Sequence, residues 1–256
     1  MVLLSTGCLF SYGLDRVFEL AKKANFLGIE VLLSDIWDTR DPAYLKRLEK
    51  KYRLKIKAMH AAFGDLRGWD PKDNLKNSIN LAQKINPDVL IIHPDFKKKE
   101  LNNILKRENS KNFNIVFENS PKVCDKKTKK LIYNFSDPRG LADFDICFDT
   151  THLATTNLDL LSVYPQIKDK IRHIHLSDSF LKPRKSDEVE GIDEDHAILG
   201  TGKLPLGEFL SILKKDSYKN HISIEYYPEN LGIPDDKKIL KNLIKSRQFI
   251  KKYFGE

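Results

Sequence analysis

The 256-residue chain contains only three cysteines, two tryptophans and two methionines. Cys8, Cys124 and Cys147 are far apart and odd in number, which argues against a disulfide framework and against paired zinc-knuckle spacing. Such cysteine usage is typical of a reducing, cytoplasmic setting. No apolar run reaches the roughly 18 residues that a membrane span requires, and the segment MVLLSTGCLFSYG lacks a basic leader and a clear cleavage site. We therefore expect no membrane partner and interpret the N-terminal segment as a first strand rather than a signal peptide.

Several catalytic signatures are also missing. The sequence has no nucleophile elbow, no Walker loop and no Cys–His pair with a defined spacing, which argues against the corresponding hydrolases and nucleotide-binding proteins. The first turn, STGCLFSYG, is a poor match to the Gly-rich turn of a dinucleotide-binding fold. The sequence also has no linker, low-complexity tract or internal repeat. We therefore expect a single domain over residues 1–256.

The chain carries a basic surplus, with 44 Lys and Arg against 36 Asp and Glu and a formal net charge of +8. A surplus of this sign favours polyanionic partners such as nucleic acid. Much of the lysine, however, lies in runs such as DKKTKK and IKKYFGE, which are typical of solvated helix faces and loops. The charge alone leaves both interpretations open.

Apolar and amphipathic segments alternate along the chain. The apolar runs are short, rich in β-branched or large apolar residues, and bounded by turn or charge signals. Eight such runs are present: LLSTGCLF, GIEVLLS, LKIKAMHA, DVLIIHP, FNIVFENS, DICFDT, IRHIHLS and HISIEYY. Amphipathic stretches lie between them, and DDKKILKNLIKSRQFIKKYF forms the last predicted helix. Eight β-then-α units predict an α/β fold, a single (β/α)8 TIM barrel, with an open doubly wound sheet as the alternative.

Acidic residues and histidines stand at the ends of these apolar runs. The last four predicted strands end at Glu118, Asp149, His175 and Glu225. Because the C-terminal ends of barrel strands share one mouth, we expect these four side chains to converge there. Three carboxylates and one imidazole suit Zn, Mn, Co or Mg, and the inward carboxylates would repel one another without a cation. The pattern predicts a metal site at the C-terminal mouth of the barrel.

Four more histidines form a second group of candidates. His60 and His93 end the third and fourth predicted strands, and His152 lies in the DTTH segment after the sixth. His196 lies in the long loop after the seventh strand, near Glu194. Each could approach the metal site, or each could be a hydrogen-bonded histidine of a strand end or loop.

Three other polar residues are expected to lie away from the ligands. His173 should lie deeper in the barrel than His175 and support the ligands by hydrogen bonding. His221 starts the eighth strand, at the opposite end of the barrel, where we expect a structural role. Glu30 lies within the second strand and is a candidate for a polar position in the barrel interior.

Loop residues are candidates for substrate contacts. The amides of Gly200 and Gly202, before a helix predicted to start near Pro205, could meet a phosphate or sugar oxygen, although GTG can equally serve as a turn. Phe63 lies in the aromatic and basic segment HAAFGDLRGWD, and SDIWDTRD after the second strand is similar. Such segments could stack on a base, line a lid over a small substrate, or fold back onto the barrel.

The motifs form an ordered set that resembles a known superfamily. The segments are HP after the fourth strand, FEN, FDTTH, HIHLSDS, H-x-x-LGTG and IEYYP. They resemble the xylose isomerase-like TIM barrel superfamily (AP endonuclease family 2), which includes endonuclease IV-type apurinic/apyrimidinic endonucleases and many sugar isomerases and epimerases. The resemblance covers nearly the whole chain and implies a barrel with a metal-dependent activity.

The endonuclease IV branch binds three zinc ions through nine ligands, and the resemblance implies a matching set here. The matching positions are His60, His93, Glu118, Asp149, His152, His175, Glu194, His196 and Glu225. Glu194 stands where that branch has Asp, and Asp193 and Asp195 flank it, so the acidic loop ligand stays open among the three. The first-strand signature of that branch is absent, and the segment between His175 and His196 is longer than it implies.

Two hypotheses follow from the resemblance. The first is a zinc-dependent phosphodiesterase with up to three Zn²⁺ ions, which cleaves DNA at abasic sites and acts as a monomer. The second is an isomerase or epimerase of a small sugar or sugar phosphate, with one Mn²⁺, Co²⁺ or Mg²⁺ ion. The candidate catalytic residues are Glu118 and Glu225, and the candidate substrate-binding residues are His152, Phe63, Gly200 and Gly202. The basic charge and the ligand set narrowly favour the phosphodiesterase, whereas the missing flanking motifs favour the sugar enzyme.

Overall fold

The computed structural model describes residues 1–62, 64, 66–94, 98–108 and 112–255. Eight parallel strands form a closed barrel, in which each strand pairs with the next along the chain and the eighth pairs with the first. The strands are Val2–Ser5, Gly28–Leu32, Lys55–His60, Val89–Ile92, Asn114–Glu118, Ile146–Asp149, Ile171–Leu176 and His221–Ile224. The predicted TIM barrel is confirmed, and each strand coincides with one of the eight apolar runs.

Helices follow every strand of the barrel except the fifth. They span Leu14–Lys23, Pro42–Tyr52, Asn74–Ile85, Lys98–Glu108, Thr150–Ala154, Leu160–Ile167, Leu206–Lys215, Pro228–Leu231 and Asp236–Tyr253. Aspartates begin several of them; Asp41, for example, accepts hydrogen bonds from the N–H groups of Ala43 and Tyr44. After the fifth strand, the segment NFSDPRGLADF contains only a short 3-10 turn, Pro138–Leu141. Within the described ranges, no helix is both long enough and apolar enough to cross a membrane.

The strands separate two apolar regions. Their outward-facing residues pack with the helices into the main core, as Phe117 and Phe148 do. A smaller apolar cluster fills the barrel interior: Leu3, Ala58, Val89, Ile91, Val116 and Cys147. Because side chains alternate along a strand, Glu118 shares the inner face with Val116, and Asp149 shares it with Cys147. Below the C-terminal mouth the interior is therefore mainly apolar, with a few buried polar side chains such as Glu30 and His173, whereas the mouth itself is polar.

Two shifts in strand register set the height of interior side chains. Between the second and third strands, the register shifts between Ile29 and Glu30. Between the sixth and seventh strands it shifts just before Cys147, and Asp149 then pairs with His175. Irregularities of this kind commonly re-aim side chains next to functional sites. At the opposite end of the barrel, Nε2 of His221 hydrogen-bonds to the Asp88 carboxylate at 2.7 Å, which agrees with the structural role expected for this histidine.

A short antiparallel ribbon lies outside the barrel. Cys124–Asp125 pairs with Val189–Glu190, so that the ribbon joins the loops that follow the fifth and seventh barrel strands. Strands of two residues carry no periodic signal, and the sequence therefore does not predict them. The ribbon ties together two loops that leave the C-terminal mouth.

Candidate metal centre

Four side chains from neighbouring strand ends meet at the mouth of the barrel. They are Glu118, Asp149, His175 and Glu225, here called the strand-end quartet. One donor atom from each residue lies within 4.8 Å of those of the other three. His175 Nδ1 is 2.7 Å from Glu118 Oε1, 2.9 Å from Glu225 Oε2 and 3.8 Å from Asp149 Oδ2. The residues that the strand pattern predicts to converge are thus within reach of one common ion.

The donor chemistry of the strand-end quartet fits a divalent cation. Three carboxylates and one imidazole make a mixed oxygen and nitrogen ligand set. Asp149 Oδ2 is buried and has no hydrogen-bond partner among the described residues, and burial raises the pKa of this carboxyl group. An unpartnered oxygen in this position carries a desolvation cost, which a bound cation would offset. The residues present therefore suit a metal ion.

Asp149 also begins a helix, and this fixes its orientation. It is the N-cap of Thr150–Ala154, and its Oδ1 accepts a hydrogen bond of 2.6 Å from the His152 N–H. The Asp149 N–H donates to Asn119 Oδ1, and the Asn119 side-chain amide donates to the Asp149 carbonyl. One carboxylate oxygen is therefore held at the helix start, while Oδ2 faces His175. No local sequence pattern singles out Asn119, because its contacts lie across two strand ends.

Charged neighbours offset the burial of the glutamate ligands. Burial alone would raise the pKa of Glu118, but the charge of His175 and the hydrogen bonds from His175 and His60 hold it well below the usual value. Burial acts against ionisation of Glu225 as well, and His175 nevertheless lowers its pKa. Burial lowers the pKa of His93 to about 4, which keeps this imidazole neutral and able to bind a cation. The centre thus presents ionised carboxylates beside a neutral imidazole.

His60 and His93 adjoin the strand-end quartet through Glu118. Their Nε2 atoms lie 3.0 Å and 3.2 Å from Glu118 Oε2. The three residues form a candidate ligand set of their own. His60 Nδ1 contacts the Ala61 carbonyl at 2.9 Å, which orients its Nε2 toward Glu118. The two histidines that end the third and fourth strands therefore reach the same mouth as the four later ligands.

A third candidate set combines Asp149 with His152 and His196. His152 Nδ1 lies 2.8 Å from the Asn119 carbonyl, and His196 Nδ1 lies 3.2 Å from Ser177 Oγ. The backbone of His196 has a φ of +34°, in the left-handed region that a residue with a Cβ seldom adopts. Strain of this kind often accompanies a functional position, and the His196 ring lies near the mouth, with its centroid 5.4 Å from that of His152.

Glu194 is the acidic loop residue that faces the centre. Its Oε2 lies 3.8 Å from His152 Nε2, and its Oε1 accepts a hydrogen bond of 2.9 Å from Arg184. Asp195 instead accepts a hydrogen bond from the Phe180 N–H. The contacts therefore favour Glu194 among the three adjacent acidic residues.

A buried network lies beneath the strand-end quartet. Glu30 Oε2 accepts hydrogen bonds from His173 Nε2 at 2.9 Å and from His175 Nε2 at 3.2 Å. Burial opposes ionisation of Glu30, but the two histidines hold its pKa well below the usual value. His173 occupies the deeper position that the sequence predicts. Glu30 lies in the barrel interior as expected, but the sequence pattern does not predict its two histidine partners.

Of the two alternatives for Gly200 and Gly202, a turn or a substrate contact, the hydrogen bonds favour the turn. Their N–H groups donate to Asp178 Oδ2 at 3.0 Å and 2.9 Å. Asp178 Oδ1 accepts from the N–H groups of Ser179 and Leu204 at 2.8 Å and 3.0 Å. Asp178 is buried, and a Cβ at Gly202 would overlap its carboxylate. Because these amides close the loop onto Asp178, they are not free to bind a phosphate or sugar oxygen.

The aromatic and basic loops pack against each other. The Arg40 guanidinium lies over the rings of Trp37 and Trp69, at 4.4 Å and 5.3 Å, and donates to the Arg67 carbonyl. Among the alternatives for these segments, this contact supports folding back onto the protein. Phe63, the other predicted substrate contact, lies outside the described residues.

The centre opens into a cavity of about 290 Å³. Several of the candidate ligands line it, and exposed aromatic side chains of Phe10, Tyr133 and Tyr227 stand at its edge. Among the described residues that line the cavity, none is Lys or Arg. The cavity is of a size that suits a small molecule, and the basic surplus of the chain does not extend into the described part of its lining.

The chain is similar to known proteins in sequence and in structure. A sequence model described as "Xylose isomerase-like TIM barrel" matches residues 18–251. An uncharacterised protein of Mycobacterium leprae is 20% identical over an alignment 280 residues long, which covers 98% of this chain and 96% of the relative. The sequence match thus extends over most of the barrel.

Three solved structures share the fold at low sequence identity. A D-tagatose 3-epimerase-like protein is 20% identical with a TM-score of 0.73, covering 99% of this chain and 97% of that chain. D-allulose 3-epimerase from Methylomonas sp., in complex with D-allulose, is 17% identical with a TM-score of 0.68, covering 98% and 96%. The IOLI protein, solved with a bound zinc atom, is 17% identical with a TM-score of 0.67, covering 100% and 99%. Because the family model matches residues 18–251, this chain belongs to the xylose isomerase-like TIM barrel family.

Proposed function

We propose that this protein is a metal-dependent epimerase or isomerase of small, unphosphorylated sugars. The observation that carries the proposal is the pair of glutamates that contact His175 Nδ1, Glu118 at 2.7 Å and Glu225 at 2.9 Å. Both glutamates also line the cavity. Two carboxylates that face one small-molecule cavity can each accept or donate a proton at a carbon of the same substrate.

The proposed reaction needs a polarised carbonyl and two proton-transfer groups. A divalent ion held by the strand-end quartet would polarise the sugar carbonyl and its neighbouring hydroxyl. One of the two glutamates, Glu118 or Glu225, then takes the proton from the carbon beside the carbonyl. In epimerisation, the other glutamate must carry a proton at the start of the turnover, and it donates this proton to the same carbon from the opposite face. His152, beside Asp149 at the mouth, would orient the substrate hydroxyls.

The charge of the cavity lining supports an unphosphorylated substrate. A sugar phosphate would bring a dianion close to the carboxylates of the strand-end quartet. Among the described lining residues, neither Lys nor Arg is present to balance that charge. Two of the structural neighbours are described as a sugar 3-epimerase or as 3-epimerase-like, and one of these was solved with the free sugar D-allulose. We therefore extend the proposal to free ketoses of this kind.

One observation keeps the zinc phosphodiesterase as a second candidate. The nine predicted ligands gather as three adjoining groups at one mouth, with Glu194 beside His152. The comparisons, however, give no support to a hydrolase or to abasic DNA as the substrate. The described cavity lining also lacks the Lys and Arg side chains that usually hold DNA phosphates. The sugar reaction is therefore the main proposal.

Metal content separates the two candidates. If the sugar reaction is correct, elemental analysis of protein purified without chelator should give one tightly bound divalent ion per chain. The Glu194→Gln variant should keep that ion, because Glu194 lies outside the strand-end quartet. Three zinc ions in the wild-type protein, with one lost in Glu194→Gln, would contradict the single-ion proposal and support the phosphodiesterase.

Activity tests the same proposal directly. The metal-loaded protein is incubated with a panel of free ketoses that includes D-allulose, and the products are separated by sugar chromatography. The parallel sample contains a DNA duplex with one abasic site, at low salt and with excess zinc. Formation of an epimer or isomer supports the proposal. Nicking of the duplex without conversion of any sugar would overturn it.

A further inference from the structure

Glu30 is a fully buried carboxylate that the proposed reaction does not use. It lies in the second strand, and its side chain is 0% exposed in the barrel interior. Other interior positions hold apolar side chains, such as Ala58 and Val116. Because burial of a charge is costly unless it is compensated, the surroundings of Glu30 must supply hydrogen bonds.

The partners of Glu30 are the two histidines of the seventh strand. Its Oε2 lies 2.9 Å from His173 Nε2 and 3.2 Å from His175 Nε2. An ionised carboxylate can only accept hydrogen bonds, so the Nε2 atom of each histidine donates to Glu30. His175 must therefore carry a proton on Nε2, on the side of the ring away from the strand-end quartet.

The two nitrogens of the His175 ring face different groups. Nδ1 lies 2.7 Å from Glu118 Oε1 and 2.9 Å from Glu225 Oε2, and it donates to these ionised carboxylates when no ion is bound. A cation in the strand-end quartet would take the place of this Nδ1 proton, whereas Nε2 would keep the proton that it donates to Glu30. A carboxylate that accepts from the far nitrogen also orients the ring and increases the basicity of the ligating nitrogen.

We propose that Glu30 is a positioning residue for the metal centre, which accepts the hydrogen bond from His175 Nε2, fixes the ring and directs its Nδ1 at the ion. This role rests on the metal centre of the proposed function, but it does not depend on which sugar is the substrate. It also needs no change of protonation during turnover.

Metal affinity provides the first test. We expect Glu30→Gln, which keeps the shape and one acceptor but removes the charge, to bind Zn²⁺ about 10- to 100-fold more weakly in a chelator competition. The matched control is Ser223→Ala, which removes a 2.9 Å contact of His173 but leaves the Glu30–His175 hydrogen bond in place. The control should bind Zn²⁺ as the wild-type protein does. Wild-type affinity in a folded Glu30→Gln variant would overturn the proposal.

The hydrogen bond from His175 Nε2 provides a second test, which does not require a bound ion. In the metal-free protein with isotope-labelled histidine, NMR should show a His175 Nε2–H proton that exchanges slowly with solvent. The Glu30→Met variant removes the acceptor, and this proton should exchange faster and shift its resonance. An unchanged Nε2–H resonance in folded Glu30→Met would overturn the role of Glu30. If the wild-type protein bound no ion at all, the proposed function would fail, while the Nε2–H measurement would still decide the role of Glu30.

Discussion

The Glu225→Gln variant is expected to lose epimerase activity while it still exchanges a proton of one epimer with the solvent. If Glu118 and Glu225 serve opposite faces of one carbon, each epimer loses its proton to a different glutamate. Removal of one base blocks inversion in both directions, by about 10²- to 10⁴-fold, because each direction needs both groups. The remaining base can still remove and return the proton on its own face. NMR of each epimer in deuterated water measures this exchange.

The matched variant Glu118→Gln should give the complementary pattern, with exchange in the other epimer. Glu194→Gln alters another carboxylate that lines the cavity, but it should leave inversion intact because Glu194 does not contact His175 Nδ1 in the structure. Elemental analysis of each variant establishes whether the ion is retained. A variant that keeps its ion but exchanges neither epimer would argue against two bases on opposite faces.

The largest effect on stability is expected for Asp178→Asn. Each carboxylate oxygen of Asp178 accepts hydrogen bonds from two backbone N–H groups. An asparagine offers one oxygen, and its NH₂ group would face the other two donors. Two N–H groups would thereby lose their acceptor, and we expect the free energy of unfolding to fall by about 2–4 kcal/mol. Urea titration of the variant and the wild-type protein measures this difference.

The control for this prediction is Asp235→Asn, the same change at an exposed aspartate that caps the last helix. It should cause a much smaller loss, because solvent can satisfy the freed N–H groups. The Asp178 variant should also disturb the mouth, since the backbone of Asp178 pairs with Ala197, next to His196. Equal urea midpoints for Asp178→Asn and the wild-type protein would show that the loop does not depend on this carboxylate.

The barrel and the strand-end quartet could be predicted because both follow from local patterns. A short apolar run that ends in a polar residue predicts a strand and also the side chain at its mouth. The alternation that places Val116 with Glu118, and Cys147 with Asp149, requires no knowledge of distant contacts. Once the strands are parallel and closed, their C-terminal ends must meet.

Other features depend on contacts between distant segments, which no local pattern encodes. The amides of Gly200 and Gly202 look the same in sequence whether they bind a phosphate or the carboxylate of Asp178, which lies 22 residues before Gly200. The partner of Glu30, His173, lies 143 residues away along the chain. The net charge of +8 favours a polyanionic partner such as DNA, but the distribution of that charge depends on how the loops fold. The described cavity lining contains no Lys or Arg. Only the folded arrangement separates these alternatives.

The two oxygens of Asp149 serve different purposes, and this affects how an ion-free protein should be prepared. Oδ1 accepts the hydrogen bond from the His152 N–H at the start of the helix Thr150–Ala154, whereas Oδ2 belongs to the strand-end quartet. Chelation would withdraw the ion and leave the helix start intact. Replacement of Asp149 by alanine would also remove the acceptor of the His152 N–H and loosen the backbone beside it. Chelated protein and the alanine mutant are consequently distinct apo states, and only the first isolates the contribution of the cation.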